Sequence, residues 1–251
     1  MKAVRLHQFG GPEVLCYEEA PVAELQPGQV LIQTLAAGVN PIDWKTREGG
    51  GAAGFLGDPP LILGWECAGR IAAVYPGEER WRVGDKVLGL LNFPNAGSCY
   101  AEQVVAEADQ LAGLPTELDP LMAAGLPLAG LTAWQALFES ADLQAGQRVL
   151  VLAAAGGVGH LAVQLAKWKD AWVAGTASLA NHAWLQQRGC DQLIDYHQQQ
   201  VGECLNDIDL IIDCVGGKAA IEALPCLKKD GLMVTLPSVT AAEVSEAASA
   251  L

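Results

Sequence analysis

Residues 148–167 read RVLVLAAAGGVGHLAVQLAK: an apolar run, a glycine turn and a helical pattern in direct succession. The run RVLVLA (148–153) carries no polar face, as expected of a strand covered on both sides. A helix is predicted over 160–169. Between them lies AAGGVG (154–159), and its composition has a chemical use. Gly156 removes a side chain where backbone must approach a pyrophosphate, and Gly159 lets helix and strand pack closely. The free N–H groups of the helix start then face the phosphate charge. Ala154 stands where the first glycine of such a turn usually falls, so the turn must accept a Cβ. A tight strand-to-helix turn without a ligand gives the same local pattern; placement in a βαβ unit favours the dinucleotide.

Working outward, 172–176, 192–195, 209–215 and 232–236 read as strands, with helical patterns at 180–188 and 219–227. Strands alternating with helices of this length predict an α/β fold with a doubly wound parallel sheet. An NAD site would place an Asp or Glu at the end of the second strand. Here Thr176-Ala177-Ser178 occupies that place, with Asn181 and His182 behind it. Without the carboxylate a 2′-phosphate meets no repulsion, and Ser178 and Asn181 can donate to it, which points to NADPH. Capping of the following helix is an alternative use of both residues and is compatible with the first. No Arg or Lys lies between Lys169 and Arg188.

Residues 1–115 read differently, as short strands (29–37, 68–74, 86–91) between turn signals. The glycine- and proline-rich segment 49–60 is expected to be a surface loop, either a connector or a mobile lid. Linker-like composition at 114–120 divides the chain into a first domain, 1–115, and a second, 116–251. The stretch 121–138 has no charge, yet Gly125, Pro127, Gly130, Thr132 and Gln135 interrupt it. Buried irregular backbone leading into a helix is therefore expected, rather than a membrane span.

Composition narrows the function classes. Of 251 residues 51% are hydrophobic and 18% charged, which excludes a disordered chain. A net charge of −14 with no basic arm makes nucleic acid a poor partner. The N-terminus MKAVRLHQFG has no apolar signal core, and the seven cysteines form no C-x-x-C pair. Reduced thiols in a cytoplasm are expected. The motifs G-x-S-x-G, H-E-x-x-H and G-x-x-x-x-G-K-S/T are absent, so hydrolase and nucleoside triphosphatase readings lack their central residues.

The run LPLAGLTAWQALFESADLQAGQRVLVLAAAGGVGHLAVQLAK (126–167), with GVNPIDWKTREG (38–49) and GWECAGRI (64–71), resembles the medium-chain dehydrogenase/reductase superfamily. More narrowly it is similar to the quinone oxidoreductase branch, which includes the zeta-crystallins, over residues 1–239. The resemblance implies a GroES-like, mostly β N-terminal domain, a Rossmann domain, NADPH as hydride donor and a quinone or α,β-unsaturated carbonyl as acceptor. It also implies homodimers for the full-length family. Family members run on past the fifth strand, so this chain is expected to lack the end of the Rossmann domain. A non-catalytic NADPH-binding protein or an inactive fragment is the alternative outcome.

Zinc-dependent relatives carry a Cys where this chain has Asn40 and a His where it has Trp65, and neither residue here ligates Zn²⁺ usefully. The four histidines (7, 160, 182, 197) form no H-x-x-x-H pair. No zinc is therefore expected, and reduction of an already electrophilic acceptor becomes the plausible chemistry. By resemblance Asn40 lies near the nicotinamide ribose and Thr132 near the carboxamide. Gly156, Gly157, Val158 and Gly159 hold the pyrophosphate, and Ser178, Asn181 and Tyr196 surround the adenosine phosphate. Asp43 and Lys45 are the catalytic candidates beside Asn40. Asp43 either orders the site or is a structural turn residue; Lys45 either donates to the substrate oxygen or joins Asp43 in a surface ion pair. Trp44 and Trp65 could floor an aromatic slot or belong to the core. Tyr100 serves packing or donates a proton, and His160 sits in the first helical turn, beside a cofactor or idle.

Overall fold

A computed structural model describes residues 1–250 and divides the chain into two compact units, Met1–Leu128 and Ala129–Leu251. The first unit contains β1 (Lys2–Leu6), β2 (Leu15–Glu19), β3 (Gln29–Ala37), β4 (Leu61–Ile62), β5 (Glu66–Val74), β6 (Lys86–Leu90), β7 (Gln103–Glu107) and β8 (Leu111–Gly113). Its short helices are α1 (Pro41–Arg47), α2 (Ala53–Leu56) and α3 (Pro120–Ala123). Two antiparallel sheets result, in the orders β2-β1-β4 and β7-β3-β5-β6-β8. Alternation along β3 turns Val30 and Ile32 into a core with Ile71, Val87, Val104 and Ala106. Helix α3 adds Ala123 and Ala124 to Ala68 and Leu114, so the first unit continues past the linker-like segment.

The second unit is a parallel sheet in the order β11-β10-β9-β12-β13. Its strands are β9 (Arg148–Leu152), β10 (Trp172–Thr176), β11 (Gln192–Ile194), β12 (Ile208–Asp213) and β13 (Leu227–Thr235). The order 3-2-1-4-5 is that of a doubly wound sheet, as the sequence predicts. The reason for the charge-free run in β9 is visible in its two faces. Val149 and Val151 enter one core while Leu150 and Leu152 enter the other. Helices α4 (Pro127–Trp134), α5 (Gly159–Trp168), α6 (His182–Gln186), α7 (Val201–Cys204), α8 (Gly217–Ala223) and α9 (Ala241–Ser249) complete the chain. On α5 the buried positions Gly159, Ala162, Val163 and Ala166 follow helical spacing and form one inward stripe.

Three expectations change in detail. The stretch 121–138 is mostly helical, in α3 and α4 with a wider turn over Gln135–Ser140, and Leu121 and Met122 lie exposed rather than buried. Segment 49–60 is not loop throughout but holds α2. The predicted helix at 180–188 splits into a 3₁₀ turn, Leu179–Asn181, and α6. Among the described residues no helix is long and apolar enough to cross a membrane.

Ile211, fully buried in β12, tests the two-sided cover of the sheet. Ile211→Ala should cost about 2–5 kcal/mol, read as a lower urea midpoint. An unchanged midpoint would mean that β12 is not a core strand.

Candidate functional site

The glycine turn is built by close approach. A Cβ on Gly159 would overlap the carbonyl oxygen of Ala153, so only glycine lets α5 begin so near the end of β9. Gly156 and Gly157 are exposed, and a Cβ on Gly157 would meet open space. Gly156 N–H donates to the Ala153 carbonyl, His160 N–H to that of Gly156, and Leu161 and Ala162 N–H to that of Val158. Thr176 at the end of β10 anchors the turn: Ala153 N–H donates to its hydroxyl (3.0 Å) and Ala154 N–H to its carbonyl (2.9 Å). Ala153 takes a left-handed conformation (φ 52°). Ala154, the departure noted in the sequence, keeps its Cβ by pointing it at Gly175, where a second Cβ would lie 2.6 Å away. The missing side chain of the turn has moved to the neighbouring strand.

Around the turn, His160 Nδ1 meets the Gly156 carbonyl at 2.9 Å, and its ring lies 5.6 Å from that of Trp184. The Arg188 guanidinium covers Trp184 at 3.7 Å. Ser178 and Asn181 come together, with Asn181 Nδ2 donating to Ser178 Oγ at 3.1 Å. Neither side chain caps the helix that follows. Since Ser178 Oγ is already an acceptor, its hydroxyl proton is directed elsewhere. Tyr196 is exposed, beside the His197 ring at 4.3 Å. Thr132 lies half-buried on α4.

The first unit holds a second cluster, around Asn40, Asp43, Glu66 and Tyr100. Pro41 and Asn40 start α1, and the Asp43 carboxylate accepts from the Asn40 backbone N–H at 2.6 Å, within a capping box. Asp43 is buried, as is Glu66 at 1% exposure. Glu66 Oε1 accepts from Asn40 Nδ2 at 2.6 Å, and Oε2 accepts from the Leu128 N–H at 2.7 Å in the first turn of α4. Burial raises both carboxyl groups above the usual carboxylate range, against the hydrogen bonds that lower them. Asp43 adds to the effect on Glu66 by charge repulsion. Burial, with the Asp43 charge next, drives the Tyr100 phenol far above its ordinary value. Asp43 Oδ1 and Tyr100 Oη are buried without a hydrogen-bond partner that meets ordinary geometry. The Cys67 and Cys99 thiols lie in the same core, and burial raises Cys99 further.

The sequence candidates separate on this frame. Asn40 and Asp43 come together, while Lys45 leaves them: among the described residues it forms no ion pair with Asp43, and its Nζ lies 5.6 Å over the Trp44 ring. The surface ion pair considered for Asp43 and Lys45 is thus not formed, because residues i and i+2 of a helix point to different sides. Trp65 is core, donating Nε1–H to the Asn95 carbonyl at 2.6 Å and packing edge-on to Phe93. Glu66 leaves no local signal in the sequence because its partners lie 26 and 62 residues away. The same cluster holds the positions at which zinc was considered. Asn40 turns its NH₂ inward, Trp65 offers only an N–H, and both Glu66 oxygens are already bonded to protein N–H groups. This donor set does not fit a zinc ion. Among the described residues no group of three or more His, Cys, Asp or Glu is arranged to hold a metal.

Two family models match the chain: the alcohol dehydrogenase GroES-like domain over residues 26–116 and the zinc-binding dehydrogenase domain over 157–248. A 2-haloacrylate reductase from Burkholderia sp is 34% identical over 239 residues, covering 92% of this chain and 71% of that protein. The structure of the quinone oxidoreductase from Coxiella burnetii superposes with a TM-score of 0.92 at 43% identity, covering 100% of this chain and 80% of the other. The Escherichia coli quinone oxidoreductase complexed with NADPH gives 0.85 at 28% identity, covering 99% and 79%.

The raised carboxyl of Asp43 has a measurable sign. Its folded pKa exceeds the unfolded value, so the folded chain binds more protons between the two. That contribution is complete below the unfolded pKa, about 4, and is lost as pH rises through the folded value. Urea midpoints of wild type and Asp43→Asn, compared from about pH 4 to about pH 7, should show the wild type losing stability relative to the variant. Parallel curves would show that Asp43 titrates normally.

Proposed function

The chain belongs to the medium-chain dehydrogenase/reductase superfamily, in its quinone oxidoreductase branch, and from that membership we propose a zinc-independent oxidoreductase that reduces a quinone or another α,β-unsaturated carbonyl. The observation that carries the reading is the Gly159–Ala153 approach, which sets the start of α5 against the end of β9 beside exposed Gly156 and Gly157. These residues fit a dinucleotide pyrophosphate. NADPH, when bound, supplies the hydride.

The chain's own groups then have separate tasks. The backbone of Gly156, Gly157, Val158 and Gly159 holds the pyrophosphate, with the N-terminal end of α5 favouring its charge. Ser178 directs its hydroxyl proton to the 2′-phosphate, and Asn181 fixes Ser178 through the 3.1 Å hydrogen bond. Tyr196 flanks the same phosphate. The preference for NADPH rests on this neutral corner and on the absence of an Asp or Glu after Thr176. Asn40 meets the nicotinamide ribose and Thr132 the carboxamide. Asp43 holds the start of α1 in place for Asn40, while Lys45, on a partly exposed stem, donates to the oxygen of the acceptor. A small-molecule acceptor suits the acidic chain, and a reducing cytoplasm suits seven thiols with no disulfide.

Titration with NADPH, following tryptophan fluorescence against an NADH control, should give saturable binding with NADPH ahead, followed by NADPH oxidation on adding quinones or enones. Binding without turnover across acceptors would leave a nucleotide-binding protein; no binding of either cofactor would reject the proposal. Lys45→Met should lower kcat by about 10²-fold or more while leaving NADPH affinity intact. An unchanged kcat would return Lys45 to the surface.

A further inference from the structure

We infer that Glu66 is the positioning residue that sets the amide orientation of Asn40, an inference that rests on the proposed dinucleotide role of Asn40. An ionised carboxylate accepts hydrogen bonds and donates none. Glu66 is 1% exposed, and each of its oxygens has one short N–H partner, Asn40 Nδ2 at 2.6 Å and Leu128 N at 2.7 Å. It cannot slide away from Asn40, because its carboxylate lies against Gly38, where any Cβ would overlap it. The backbone is held too, with Gly38 N–H donating to the Glu66 carbonyl at 3.1 Å. An asparagine amide can ordinarily turn over and exchange its donor and acceptor ends. Facing Glu66 it has one favourable orientation, nitrogen inward, and the capping box with Asp43 holds the same residue from its backbone side. Asn40 is half-exposed, so the remaining hydrogen-bonding capacity of its amide is presented to a ligand in a single, fixed sense.

Gln at position 66 keeps the shape but opposes one N–H₂ group to a donor. Either Asn40 turns over to meet that group, or the Leu128 N–H loses its acceptor. The double-mutant cycle of Glu66→Gln and Asn40→Ala, read as NADPH dissociation constants alongside thermal melts, tests this directly. Each single change should weaken NADPH about tenfold, the scale of one charge-assisted hydrogen bond, and the double change should weaken it no further than Asn40→Ala alone. Additive losses, or a Glu66→Gln variant that binds like wild type, would overturn the inference. If Glu66→Gln does not melt cooperatively, Asn40→Asp with Glu66→Gln rebuilds the pair with donor and acceptor exchanged. That double variant should bind NADPH more tightly than Asn40→Asp alone; equal or weaker binding would overturn the inference. Failure of the wild type to bind NADPH would instead reject the proposed function itself.

Discussion

Helix α5 starts in contact with the carbonyl of Ala153 because Gly159 has no side chain, and the second unit is arranged around that contact. It brings the helix stripe Ala162, Val163 and Ala166 down onto Val149 and Val151 of the central strand. The same close approach leaves Gly156 and Gly157 exposed at the turn.

The cluster in the first unit follows a different rule. Charge is buried there, in Asp43 and Glu66, and each carboxylate takes N–H groups from backbone or amide. A buried carboxylate lacking such donors would be costly. Asn40 and Trp65 offer N–H groups here, and each Glu66 oxygen accepts one N–H hydrogen bond.

The parts of the fold that could be read from the sequence are those whose burial leaves a periodic mark. Strand β9 is apolar on both faces and β3 alternates, and both were expected within a residue of their observed ends. Strand β2, LCYEE, is largely exposed at the edge of its sheet and left no such mark. Strand β13 begins earlier than its apolar part because its KKD run lies on an edge, where charges are tolerated and deter further pairing. The glycine turn was readable because its residues are neighbours in the chain. Glu66 was not, since its meaning depends on Asn40 and Leu128 arriving from distant segments. Asp43 and Lys45 show the opposite case: they are near in sequence, but helix geometry sends one inward and the other to Trp44.

The exchange between Ala154 and Gly175 carries a consequence for how such a turn can change over generations. Only one of the two sites has room for a methyl group, since a Cβ at 175 would fall 2.6 Å from the Cβ of Ala154. A lineage moving the methyl group from 154 to 175 must therefore first pass through a state with glycine at both. The reverse order crosses a state with alanine at both and meets the clash. Each position is neutral or harmful according to what the other holds, so the two sites form an epistatic pair with a permitted order of steps.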